Sequence, residues 1–250
     1  MPIDHDTAQV LSGGLMVLVG LGAAAVASRR WGIQWRWLGC GALLWSVAMP
    51  AKRAIDALLS DSVAVPIGDR LSHAFHVPDV LLASCYVGLL TGVTLVAYTL
   101  AAGLLWRGLA GNARRAIGIG VGIGAFEAIY YGLKVAAGLE PDWVPRASSA
   151  TAVLLPPVER IITIACHALV AAMVLYAVAT RRWSWFWGGF AFFVALDGLA
   201  GFYIITRAFD TVNPWLLEFS FAAFAALAIP LLRHLWLRWP TPAALGPTTG

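Results

Sequence analysis

The chain has 250 residues, of which 60% are apolar and only 12% charged, and its mean hydropathy is +0.78. A water-soluble domain of this size carries about 25% charged residues, so a soluble globular fold is excluded and lipid must be the solvent for much of the surface. The net charge of +4 does not indicate nucleic acid, because the basic residues stand in short groups between apolar runs rather than on one face.

A bilayer core about 30 Å thick is crossed by a helix of about 20 apolar residues. Runs of this kind lie at 9–28, 37–55, 79–106, 116–138, 157–180, 184–206 and 214–235. The first follows Asp4, His5 and Asp6 rather than a basic segment, so it reads as a membrane span and not as a cleaved signal peptide. The second is interrupted by Pro50, Lys52 and Arg53. Pro78 and Pro157 mark helix starts, where a missing N–H costs nothing. The Pro/Thr/Gly-rich stretch 241–250 reads as a disordered tail. The expected fold is all-α: one transmembrane bundle over 1–240 with about seven transmembrane helices.

The segments between spans give an orientation. Arg29, Arg30 and Arg36, then Arg107, Arg114 and Arg115, then Arg181 and Arg182, and finally Arg233 and Arg238 share segments that hold no Asp or Glu. The other side holds Asp4, Asp6, Asp56, Asp61, Asp69, Glu140, Asp142 and Asp210. Positive charge stays in the cytoplasm, which puts the N-terminus outside and the C-terminus in the cytoplasm of a cell membrane, here read as a bacterial inner membrane. Trp31, Trp35, Trp37, Trp106, Trp183, Trp185, Trp187, Trp236 and Trp239 fall near the same helix ends, as an interfacial belt does.

Cys40, Cys85 and Cys166 are odd in number, lie in apolar stretches and form no CxxC, so they read as apolar fillers. The fourth span carries Gly118, Gly120, Gly122 and Gly124, two overlapping GxxxG spacings. Such a stripe lets a neighbouring backbone approach. It also makes room beside Glu127.

An ionised group at the bilayer centre costs at least about 2.5–3.5 kcal/mol, so such residues point to function. Glu127, His167 and Asp197 fall near the middles of three consecutive spans, at one depth. Glu159 and Arg160 open the fifth span, and Glu218 lies in the first turns of the seventh. Glu159 and His167 are eight residues apart and so share a helix face. An acid in a first turn also serves the helix dipole alone. His73, His76 and Asp79 form an HxxHxxD spacing, read as interfacial loop chemistry rather than a metal site.

The stretch Gly120-Val-Gly-Ile-Gly-Ala-Phe-Glu-Ala-Ile129 resembles the GxGHGGxEAI signature of the YhfC family, which belongs with the type II CAAX-protease-like intramembrane metalloproteases. Glu159-Arg160-Ile-Ile-Thr-Ile-Ala-Cys-His167 is similar to that family's ERxxxxxxH motif, Asp197 to the acid of its HxxxD motif, and Glu218 to an acid in the last helix. The resemblance covers 79–235, making this the protease-like core and 9–55 accessory spans. It implies a divalent metal held by His167 and Glu159, with Glu127 as general base, Arg160, Asp197 and Glu218 in the surrounding network, and a membrane protein or peptide as substrate. The chain departs from the pattern at Ile123 and Phe193, where the family has histidines, and no paired glutamates precede Glu127.

Three functions follow as expectations. One is a metalloprotease with a rearranged site. Another is a non-catalytic relative that binds a membrane partner or lipid. The third is a proton- or ion-coupled carrier relaying through Glu127, His167 and Asp197, for which no internal repeat is evident. No nucleotide loop, nucleophile elbow or haem-attachment motif occurs.

Overall fold

The computed structural model describes residues 4–59, 78–139, 150–206 and 213–240, and these are helical throughout apart from short turns. Seven long helices follow one another: α1 His5–Trp31, α2 Trp35–Leu59, α3 Asp79–Leu105, α4 Ala113–Ala136, α5 Ala150–Thr180, α6 Trp183–Ile205 and α7 Pro214–Arg238. Six of them are long and apolar enough to cross a membrane. The exception is α2, whose apolar run is broken by Pro50, Lys52, Arg53 and Asp56. His73, His76 and the 241–250 tail lie outside the described residues, as do Asp61, Asp69, Glu140, Asp142 and Asp210. Asp79 stands exposed in the first turn of α3.

Local chemistry sets the helix ends. Asp4 caps α1 by accepting from the Thr7 N–H at 2.8 Å and the Thr7 hydroxyl at 2.7 Å. These bonds hold the Asp4 carboxyl below the usual carboxylate range. The same helix closes on Gly32, whose φ of +64° suits a residue without a side chain. Asn112 caps α4 by accepting from the Arg115 N–H, and Asn213 with Pro214 starts α7.

Two helices differ from expectation. The fifth begins at Ala150, not at Pro157, so Pro156 and Pro157 lie inside it. Their rings remove two N–H donors near the helix start, a loss that membrane helices tolerate when neighbours satisfy the freed carbonyls. The third contains a π-helical turn at Gly92–Val96. The hydroxyls of Thr94 and Thr91 bond back to the Leu90 and Val87 carbonyls within and just before it. Such turns shift the side chains that follow them and recur at functional sites.

The bundle is built around α4, which packs against α1, α2 and α5. In turn α5 touches α1, α6 and α7, while α3 lies along α6. The glycine stripe explains how α4 holds three neighbours. A Cβ on Gly118 would fall 2.5 Å from Ile33 Cγ2, and one on Gly122 would enter the Leu38 backbone of α2. On another face, a Cβ on Gly120 would meet His167 and Ala168, and one on Gly124 would lie 2.7 Å from Ile164 Cα of α5. The two GxxxG spacings therefore serve two different helices. A third close approach pairs Gly13 of α1 with Gly132.

Arginine and tryptophan gather at one end of the bundle. Trp37 packs on Trp106 at 5.8 Å between ring centroids, and the guanidiniums of Arg36 and Arg115 lie over the Trp37 ring. Arg115 Nη1 donates to the Gly108 carbonyl, Trp239 Nε1 to the Ala110 carbonyl, and the Tyr176 hydroxyl to the Arg238 carbonyl. Toward the opposite end, the Tyr86 hydroxyl of α3 donates to Asp56 of α2 at 2.9 Å. Thus α2 runs beside the other helices from the arginine-rich end toward the far one. All three cysteines are free.

Candidate functional site

Glu127 is the centre of a polar cluster inside the bundle. It projects from α4 one turn beyond Gly124, and a Cβ at Gly124 would lie 3.2 Å from the His167 ring. The glycine therefore lets α5 bring His167 close. Arg160 Nη1 donates to Glu127 Oε1 at 2.6 Å. Trp45 Nε1, from α2, donates to Oε2 at 3.0 Å, and His167 Nε2 meets the same oxygen at 2.9 Å. Facing a carboxylate oxygen, that imidazole nitrogen carries its hydrogen. One carboxylate thus ties three helices together. In a bilayer each such interhelical bond contributes about 0.6–2 kcal/mol.

The Arg160 guanidinium also pairs with Glu159 through Nη2. Its side chain is only 7% exposed, so the charge is compensated by carboxylates rather than by water. Its guanidinium also lies 5.7 Å from the centre of the Tyr131 ring. On its other side, His167 packs on Phe193 at 5.1 Å between centroids. Phe193 thus fills space where the resemblance expects a histidine.

The second polar group sits across a cavity of about 200 Å³. Lys52 of α2 donates to the Thr91 hydroxyl and lies 4.0 Å from Asp197 of α6. Lys52, Thr91, Glu127, Glu159, Arg160, His167 and Asp197 all line this cavity. Glu218 of α7 is 4% exposed, and its two carboxylate oxygens find no hydrogen-bond partner among the described residues. It lies within electrostatic reach of Glu159 and Arg160.

All six residues singled out in the sequence therefore occur in or beside one site: Glu127, Glu159, Arg160 and His167 in contact, Asp197 across the cavity, Glu218 alongside. Trp45, Lys52 and Thr91 were not anticipated as site residues. A signal existed for two of them. Trp45 stands in mid-span, away from the belt at the helix ends, and Lys52 is a full charge within a span.

The donor set does not fit a divalent metal as arranged. Among the described residues no three His, Cys, Asp or Glu side chains gather as a metal cluster. The cation between Glu127 and Glu159 is the Arg160 guanidinium itself, and His167 is turned onto Glu127. A metal bound by His167 and Glu159 would have to displace both contacts.

The fold and this site define a class: a multi-pass helical membrane protein with a charged centre between its helices. No protein-family model, curated protein or solved structure matches the chain.

Proposed function

We propose that this chain crosses the membrane seven times, with its N-terminus outside and its C-terminus in the cytoplasm, and uses its polar cavity to bind a cationic group of a membrane partner. The orientation is supported by the acid-free arginine and tryptophan end of the bundle. A crossing by α2 is supported by its 25 residues, about 37 Å of helix, and by the inward pairing of its charges with α3 and α6.

The observation that carries the binding reading is Arg160. Its guanidinium occupies the carboxylates that a hydrolytic centre would leave for a metal or a water. Among the described residues Glu127, Glu159 and Asp197 line the cavity with Arg160 and Lys52, and beside it the buried Glu218 carboxyl has no hydrogen-bond partner. A buried carboxyl without a partner is satisfied when a cationic donor reaches it, which supports a positively charged ligand. Transmembrane peptides with and without a central lysine, presented to the protein in proteoliposomes, test this. The lysine peptide should bind, and Glu218→Gln should weaken it. Equal binding of both peptides refutes the reading.

The second reading is the metalloprotease of the YhfC resemblance. It is favoured by the meeting of Glu127, Glu159 and His167 at one place. Elemental analysis of detergent-purified protein separates the two. Stoichiometric zinc or another divalent metal, lost in His167→Ala together with cleavage of a membrane substrate, establishes the protease and ends the binding reading.

A further inference from the structure

A second, larger cavity lies on the opposite face of α5 from the polar site. It is an apolar groove of about 680 Å³ between α1, α4, α5 and α7, and it shares no lining residue with the polar cavity. Along α5 the two faces alternate: Arg160, Thr163 and His167 turn to the polar cavity, Ile161, Ile164 and Ala168 to the groove. Small side chains make the hollow, chiefly Gly22 and Ala23 of α1 and Ala165 of α5.

The groove has one charged end. Arg233 and Trp236 of α7 and Trp31 of α1 line it there. The Arg114 guanidinium lies 5.7 Å from the centre of the Trp236 ring and 3.6 Å from where a Gly32 side chain would begin. Arg29 and Arg30 complete the last turn of α1. Neither Arg114 nor Arg233 forms an ion pair with a described carboxylate. From Trp236 down to Ile229 is seven residues, so the groove reaches about 10 Å below this rim.

A groove at this depth in a bilayer takes hydrocarbon. Its rim offers forked donors without an acid partner among the described residues, flanked by interfacial tryptophans. Guanidinium forks match phosphate oxygens, and basic groups at this level attract anionic lipid. We infer that the groove is a specific site for one anionic phospholipid, with its phosphate between Arg114 and Arg233 and an acyl chain lying along α5 between α1 and α7. This lipid site stands apart from the polar cavity and does not depend on what the cavity binds.

The test uses the full chain in mild detergent, mixed with equimolar phosphatidylglycerol and phosphatidylcholine of matched chains, with retained lipid counted by intact-protein mass spectrometry. One phosphatidylglycerol should be retained, at least about tenfold over phosphatidylcholine. Arg114→Gln with Arg233→Gln should remove that preference. Gly22→Leu should abolish retention of either lipid. A side chain there starts in open space, with no atom within 4 Å of its Cβ, and grows into the groove without disturbing the packing. Equal retention of the two lipids overturns the inference, as does retention unchanged in either variant. Inorganic phosphate that displaces phosphatidylglycerol completely at millimolar concentration also overturns it, since the site would then hold a free anion.

Discussion

Arg160 Nη1 lies 2.6 Å from Glu127 Oε1, and the guanidinium that makes this contact pairs with Glu159 as well. The arrangement makes Arg160 a fixed cation shared by two carboxylates on different helices. It orders the site from inside, and the energetics of the bundle centre depend on it.

Replacing Glu127 with Gln removes one of the two carboxylates that compensate Arg160 while leaving the shape nearly intact. Breaking a buried pair outright costs about 3–5 kcal/mol, because the other charge is stranded. Here Glu159 still holds the guanidinium, so unfolding in graded detergent mixtures should show a loss toward the lower end of that range or below it. Adding Arg160→Met to Glu127→Gln should deepen the loss, because Glu159 then loses its cation. Recovery of stability by the second change would show that Glu159 does not depend on Arg160.

Trp45→Phe keeps an aromatic ring against Phe126 and Tyr130 but removes the N–H that Glu127 Oε2 accepts. As an interhelical bond in a bilayer it contributes about 0.6–2 kcal/mol. The same unfolding measurement should give a loss in that range. Trp35→Phe, at an exposed position, should leave stability unchanged.

The Lys52–Asp197 pair is longer, at 4.0 Å, and half-buried, its side chains 24% and 27% exposed. At that distance and exposure it contributes about 1 kcal/mol, less than a close, desolvated pair. Asp197→Asn should therefore cost stability well below Glu127→Gln. A loss as large as that of Glu127→Gln would mean that Asp197 carries structure the 4.0 Å contact does not account for.

The glycines of α4 are not equivalent to those that face open space. Gly122→Ala drives a methyl group into the Leu38 backbone, and overpacking of this kind costs about 1–3 kcal/mol. Gly14→Ala and Gly39→Ala meet nothing within 4 Å and replace helix-interior glycine, with a gain of about 0.5–1 kcal/mol. Thermal melts of the three variants should move in opposite directions.

Orientation is tested by labelling single cysteines in a background without Cys40, Cys85 and Cys166. His5→Cys should react with a membrane-impermeant maleimide on intact cells, and Arg182→Cys only after permeabilisation. The reverse pattern would invert the orientation proposed above.

Much of the fold is legible in the sequence because lipid imposes a simple rule. Six apolar runs give six helices with boundaries a few residues from those expected. The rule weakens where a helix carries charges that a neighbour answers. Lys52 and Asp56 interrupt the hydropathy of α2, yet each meets a partner on α3. It also weakens at Pro156 and Pro157, where proline suggests a start and the helix continues in both directions. For the site, the common depth of Glu127 and His167 was readable, but their contact was not. That contact depends on which way α4 and α5 face, and the facing is set by Gly120 and Gly124 against the α5 backbone. The mid-span place of Trp45 marks it out in the sequence, but its partner Glu127 follows only from how α2 and α4 face each other. The π-helical turn at Gly92–Val96 has no sequence marker of comparable strength.

The glycine faces of α4 also bear on how the molecule can move. Turning α4 about its axis by even one residue would swing Ile119, Val121 or Ile123 into neighbouring main chain that its glycines now face, where even a Cβ would clash. With α1, α2 and α5 it forms a keyed block that resists rotation. The pair of α3 and α6 has its own glycine contact, Gly88 against the Val194 backbone. These two lie along each other, and among the described residues their polar links to the block are the contacts of Lys52 with Thr91 and Asp197 and the Tyr86–Asp56 hydrogen bond. Lys52 and the Tyr86–Asp56 bond are thus the polar seam between the glycine-keyed block and the α3–α6 pair.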